Sequence, residues 1–345
     1  MKQFLFQCSL FVALLAFLGV GLEYMLRSVP NSYAYKRSLI EASPQKVKYL
    51  FIGNSVIAHG INPACFADST LNIAFPGQHV HYNKVLLEKY IDRLSHIKSI
   101  YWGISYESLW EYEDGGPHTP AKDDLLAYYH IYLGLPSASL WRHRSELLAT
   151  GDLAFKKWWK YYIAGKPTMQ CDSLGLDHSM DGKKKKLITR TKVRQLVTKH
   201  TLFRKKDASL FYQNNVEALR ETARLCARKG IRFYLVIPPV GKLYAQEINQ
   251  EQWMSIQRTL DDLKQNEQVE VCNYFYDPRF EENDFYDANH LNSSQGACKL
   301  ARILRKETLE SLSPSVVLPE SKRQEEEPTG ITQSEPLKNI ESLTR

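Results

Sequence analysis

The sequence has no Cys-x-x-Cys pair and no Cys/His spacing of the kind that holds zinc, so a structural metal site is not expected. Its six cysteines are scattered, at 8, 65, 171, 226, 272 and 298. Cys8 lies in an apolar N-terminal run, which leaves an odd five elsewhere. A disulfide framework is therefore not indicated, though one or two bridges stay open in an oxidising compartment. There is no internal repeat. There is also no chain-wide basic surface: the net charge is +7, and residues 182–206 alone hold 11 Lys or Arg and no acid. The remainder is near neutral, which argues against a general nucleic-acid footprint. The 20 Tyr and 6 Trp fit ordinary packing as well as carbohydrate-like ligands.

A 345-residue chain with 43% apolar and 24% charged residues can build a large core. Residues 4–22 form a run of 19 without a charge, long enough to cross a hydrocarbon layer as a helix. No small-x-small cleavage site follows it, so an uncleaved signal-anchor is expected over 1–27, with the bulk of the chain across the membrane. Residues 28–47 read as a polar juxtamembrane connector. Apolar runs at 48–55, 69–75, 99–105, 231–238 and 269–276 then predict five strands. Helical spacing at 79–94, 208–229, 250–265 and 293–309 alternates with them, and Gly230 is a natural stop for the second. This alternation predicts an α/β fold: a three-layer, doubly wound, mostly parallel five-stranded sheet in a domain spanning 48–312. It is interrupted at about 117–206 by a helical, partly basic insertion suited to a substrate cap. The lysine run 183–186 reads as a solvated loop, or as a contact for anionic headgroups or an acidic glycan. From 313 to 345 no apolar period survives, and a disordered tail is expected.

Two stretches carry chemistry. Gly53-Asn54-Ser55 breaks the first predicted strand, which places Ser55 where open α/β sheets keep their ligand crevice. Far along the chain, Asp287 and His290 are three residues apart just before the last helix. Asn292 is expected to cap that helix, and Gln295 to complete a capping box. A carboxylate on His Nδ1 leaves Nε2 free as a base, which is what a serine nucleophile needs. No Gly-x-Ser-x-Gly elbow exists, which sets aside the usual α/β-hydrolase nucleophile turn. His59, four residues after Ser55, is expected to be structural or solvent-facing. His79 and His81 lack further ligands nearby.

The two stretches resemble the first and last blocks of the SGNH/GDSL hydrolase superfamily, a likeness that covers about 48–309. Gly53-Asn54-Ser55 matches the Gly-Asp/Asn-Ser triplet, and Asp287-Ala288-Asn289-His290 matches Asp-x-x-His. Gly77 matches the glycine whose amide, with that of Ser55, forms the oxyanion hole. The family's Gly-x-Asn-Asp block is missing; Trp102-Gly103-Ile104-Ser105 follows the third strand instead. The resemblance implies a flavodoxin-like fold, no cofactor, and Ser55, Asp287 and His290 as catalytic residues. It also implies acyl transfer or ester hydrolysis through acyl-Ser55 on a cell-envelope glycan. The expected setting is the extracytoplasmic face of the inner membrane, beside a multispanning acyltransferase partner. General carboxylesterase or lipase activity, or a silent binding subunit, are the other readings.

Overall fold

A computed structural model describes residues 1–111, 120–136, 141–181 and 188–310. The lysine run 183–186, the start of the expected insertion and the tail 313–345 lie outside the described residues. In chain order the elements are α1 (Lys2–Ser28), α2 (Ser32–Ala42), β1 (Tyr49–Ile52), α3 (Ser55–Ala58), β2 (Thr70–Asn72), α4 (Val80–Tyr90) and β3 (Ser99–Gly103). The insertion follows with α5 (Pro120–Ile131), α6 (Glu146–Thr150), α7 (Asp152–Trp158) and α8 (Arg190–His200). The second half of the α/β unit is α9 (Ala208–Arg228), β4 (Arg232–Ile237), α10 (Lys242–Glu247), α11 (Gln250–Asn266), β5 (Val269–Asn273) and α12 (Gly296–Arg305).

The five strands form one all-parallel sheet in the order β2-β1-β3-β4-β5. Period-two alternation sends successive side chains to opposite faces. Leu50, Ile52, Ile100, Trp102, Phe233 and Leu235 enter a core shared with α4, α9 and α11. Phe51, Tyr101, Tyr234 and Val236 enter a second core, shared with Phe66 and with Leu300 and Leu304 of α12. Register places Phe51, Tyr101 and Tyr234 side by side. Their rings stack at 4.7 Å between centroids for each pair, a contribution of about 0.5–1.5 kcal/mol per pair beyond burial.

This strand order reverses between β1 and β3, and crevices of open parallel sheets form at such switch points, beyond the strand C-termini. The close fit there depends on Gly103. A Cβ at that position would stand 1.9 Å from Ile57 Cγ1, so α3 can lie against the end of β3 only because residue 103 has no side chain.

Three expectations need correction or extension. The last helix begins at Gly296, with no capping box from Gln295. Asn292 instead accepts from the amides of Gln295 and Gly296, at 2.8 and 3.0 Å, through a preliminary turn. The segment after α1 is built into the domain: Asn31 caps α2, Tyr33 stacks on Phe75 at 4.5 Å, and Ile40 is buried. Finally, Cys65 and Cys298 are disulfide-bonded, tying the loop after α3 to α12 across a sequence separation of 233. Scattered cysteines gave no local sign of this pair.

In the chain-entropy picture, closing so long a loop stabilises by roughly 5 kcal/mol. The double variant Cys65→Ser/Cys298→Ser should therefore unfold at a clearly lower denaturant midpoint, and reductant should shift the wild type but not the variant.

Candidate active site

β1 ends at Ile52, and Gly53-Asn54 turns the chain so that Ser55 opens α3. Asn54 is the hinge of this turn. Its Oδ1 accepts from the Val56 amide at 3.2 Å, capping α3, and its Nδ2 donates to Ser105 Oγ at 2.9 Å. Ser105 in turn shares a 2.8 Å hydrogen bond with Ser108 Oγ, which also accepts from the Ser105 amide. The loop after β3, where the resemblance finds no counterpart of its third block, thus fixes the serine turn from the other side of the switch point.

Asp287 and His290 sit at the tip of a tight antiparallel loop, closed by the Phe285–Leu291 bridge and by the Tyr286 amide donating to His290 O at 2.9 Å. The Gly241 amide, just beyond β4, donates to Ala288 O and moors the loop to the sheet. His290 Nε2 lies 2.8 Å from Ser55 Oγ, and His290 Nδ1 lies 2.9 Å from Asp287 Oδ1. Asp287 Oδ1 also accepts from the amides of Asn289 and His290 at 3.2 and 3.0 Å. Burial alone would raise the Asp287 pKa. The hydrogen bond and charge of His290 and the two amides outweigh it and hold the carboxyl down at about 2. Asp287 is thus ionised at neutral pH, which favours the tautomer with the proton on Nδ1 and Nε2 facing Ser55.

Gly77 lies in a turn just past the ladder between β1 and the continuation of β2, whose last bond is from the Phe75 amide to Gly53 O at 3.2 Å. Its φ of +73° suits glycine. Among the described residues, neither the Ser55 amide nor the Gly77 amide donates a hydrogen bond.

His59 proves to be buried and close to the site. Its ring meets that of His290 edge to face at 5.8 Å. Its Nδ1 lies 3.2 Å from Asp177 O and 3.4 Å from Asp177 Oδ1. Asp177 comes from the insertion, whose residues 171–181 run beside β2 and α3. The Asn72 amide donates to Leu174 O, and the Asp177 amide to Ala58 O, both at 2.9 Å. Lys36, from α2, is also fully buried, with Nζ 2.5 Å from Ala74 O. Burial lowers its pKa to about 8 against the pull of Cys171, Asp177 and Asp172. No sequence signal pointed to Asp177 or Lys36, because each acts across more than thirty residues. The Ser-x-x-Ser spacing of Ser105 and Ser108 was the one local sign missed. The other two histidines lie outside this cluster: His79 Nε2 is 3.9 Å from Glu111, and His81 packs on Tyr82.

From the other side the insertion presents α8. A cleft of about 390 Å³ opens between it and the Asp287–His290 loop, lined by Lys192, Leu196, Lys199, His200, Asn289 and His290 among others.

No family model and no curated protein matches the chain. Several solved structures bear a distant likeness, two of which serve as examples. One is a protein from Streptococcus pneumonia provisionally described as a platelet activating factor, 13% identical, with a TM-score of 0.37 over 88% of this chain and 98% of that one. The other is a Bacteroides fragilis protein provisionally described as an acylhydrolase, 10% identical, with a TM-score of 0.35 over 76% and 87%. At such scores neither bears on the chemistry, which rests on the geometry above.

Burial lowers the His59 pKa, with the His290 charge adding to the effect and Asp177 opposing it. A base whose folded pKa is depressed lends stability that is present above its unfolded value, about 6.5, and is lost as pH falls below it. Thermal melts should therefore drop between pH 7 and pH 5, and the drop should be smaller in His59→Gln.

Proposed function

We propose that this chain is a serine-dependent acyl-transfer enzyme of SGNH type, acting on ester bonds. The observation that supports it most is the unbroken relay from Asp287 through His290 to Ser55 at a parallel-sheet switch point. In the first half-reaction Ser55 Oγ bonds to the ester carbonyl carbon while its proton passes to His290 Nε2. The amides of Ser55 and Gly77 receive the oxyanion, and removal of one such donor costs on the order of 10²–10³ in rate. Collapse breaks the ester C–O bond, and the leaving alcohol takes the proton from His290. In the second half-reaction a hydroxyl attacks acyl-Ser55, gives its proton to His290 Nε2, and Ser55 leaves reprotonated. Asp287 keeps the imidazole oriented and stabilises the imidazolium throughout.

The identity of that hydroxyl separates hydrolysis from transfer. The lysines of α8 beside His290 favour an anionic or polyhydroxylated acceptor over a bare lipid ester, and we read the acceptor as a cell-envelope glycan. Helix α1 is long and apolar enough to cross a membrane, with none of its apolar window buried in the domain. The Cys65–Cys298 bond suits an oxidising compartment. Together they favour a single-pass protein of the cytoplasmic membrane with its domain outside the cytoplasm; a multispanning partner that supplies the acyl group belongs to the proposal alone.

A fluorophosphonate probe should label the full chain at Ser55 and fail to label Ser55→Ala. Absence of labelling in the folded wild type would instead identify a silent binding subunit. Asp287→Asn should fold normally yet lower kcat on a simple aryl ester by on the order of 10³–10⁴. Addition of acidic glycan oligomers to the acyl-enzyme should release acylated glycan faster than free acid if transfer is the reaction.

A further inference from the structure

The insertion carries an apolar surface that the proposed chemistry does not use. Helix α7 continues through a π-helical turn at Trp159–Ile163. Along it Phe155, Trp159 and Ile163 are 56%, 51% and 53% exposed, with Tyr162 beside them. Their positions, i, i+4, i+7 and i+8, form one stripe on a helix. The Tyr162 end touches α1; Phe155, Trp159 and Ile163 each keep more than half of their surface exposed, and a contiguous exposed stripe of this kind is unusual on a soluble surface. Its flanks are basic. Lys156, Lys160 and Lys166 lie on it, and Asp152 is the one acid between positions 147 and 171. Lys157 alone is turned inward, to the buried Glu146 at 2.7 Å.

The stripe is fixed in height relative to α1. Glu23 is the first charged residue after the uncharged run 4–22. Its carboxylate accepts from Ser145 Oγ at 2.7 Å and from the amides of Glu146 and Leu147 at 3.2 and 3.1 Å, which docks the start of α6 against α1. Arg27 adds a 2.6 Å hydrogen bond to Arg144 O. The Tyr162 hydroxyl donates to Met25 O at 3.1 Å and stands 2.9 Å from Ser28 Oγ. Those contacts lie three to six residues beyond Leu22, about 5–9 Å along the helix axis. The headgroup layer of one leaflet is of similar thickness, roughly 5–8 Å. Aromatic side chains with lysines at that depth are the usual furniture of a membrane interface.

We propose that this stripe is a second membrane contact: it seats in the headgroup layer of a bilayer containing anionic lipid and, with α1, holds the α/β domain at a fixed attitude to the surface. The inference rests on the reading of α1 as a membrane span, and the test separates the two. The full chain is reconstituted into vesicles of phosphatidylcholine and phosphatidylglycerol, with part of the lipid brominated either near the headgroup end or near the methyl end of its acyl chains. Resistance to alkaline carbonate extraction scores the span. Tryptophan quenching, compared between wild type and Trp159→Phe, scores the stripe. Brominated lipid should quench the wild type more strongly with the shallow label. Trp159→Phe, with an unchanged melting temperature, should lose a quenched share on the order of one tryptophan in six. Equal quenching of wild type and variant in a chain that resists extraction would overturn the seat and leave the span standing; if cross-linking then joins two copies through position 159, the stripe is a dimer contact. A chain released by carbonate, with Trp159 unquenched, would overturn both.

Discussion

The imidazole of His290 bridges two parts of the chain that share nothing locally, and much of the architecture can be understood as what keeps that bridge closed. Ser55 and His290 are 235 residues apart, yet their side chains meet at hydrogen-bond distance. A misplacement of about 1 Å at such a contact is enough to lose it. Each partner is accordingly held by several independent bonds. The serine turn is clamped by Asn54 to α3 and to the serines after β3. The histidine loop is closed by its own backbone, moored to Gly241, and backed by a carboxylate bound to two amides. The Cys65–Cys298 bond then ties the segment following the serine to the helix following the histidine.

The insertion reaches this bridge from two sides and serves a different purpose on each. Residues 171–181 cover the free edge of β2, an edge that would otherwise present unpaired backbone groups. They also deliver Asp177 to His59, so a buried imidazole packs against His290. Helix α8 faces the opposite flank and supplies the basic wall of the cleft. Helices α6 and α7 grip the end of α1, so one inserted segment touches the proposed membrane span, the sheet edge and the histidine loop.

The sheet was legible because its strands are short apolar runs bounded by Gly, Asn or Pro, and each predicted run contains an observed strand. Gly53-Asn54-Ser55 and Asp287-x-x-His290 were legible because each is compact: a turn after a strand, and a carboxylate one short loop from its histidine. What escaped notice is long-range by nature. Cys65 and Cys298 have no spacing rule to pair them. Nothing near position 177 marks its aspartate as the partner of a histidine near position 59. Lys36, in what reads as a polar connector, is buried because α2 packs on Phe75 and Ala74, which are distant in sequence. The missing capping box at Gln295 has a local cause. The Asn292 amide, which the Gln295 side chain would have to hold, already donates to Asp284 O at 2.9 Å, and the helix starts only after the turn that Asn292 caps.

The 235-residue gap between Ser55 and His290 also has a meaning in time. Chains are made at about 5–20 residues per second, so the serine exists for roughly 10–50 s before the histidine is synthesised. Throughout that interval Ser55 lacks the His290 imidazole that its hydroxyl meets in the folded chain. The sheet itself is incomplete until β5, and the disulfide cannot close until α12 is available. The relay therefore appears only when nearly all of the described domain exists, and a truncated or stalled chain carries the serine without its imidazole.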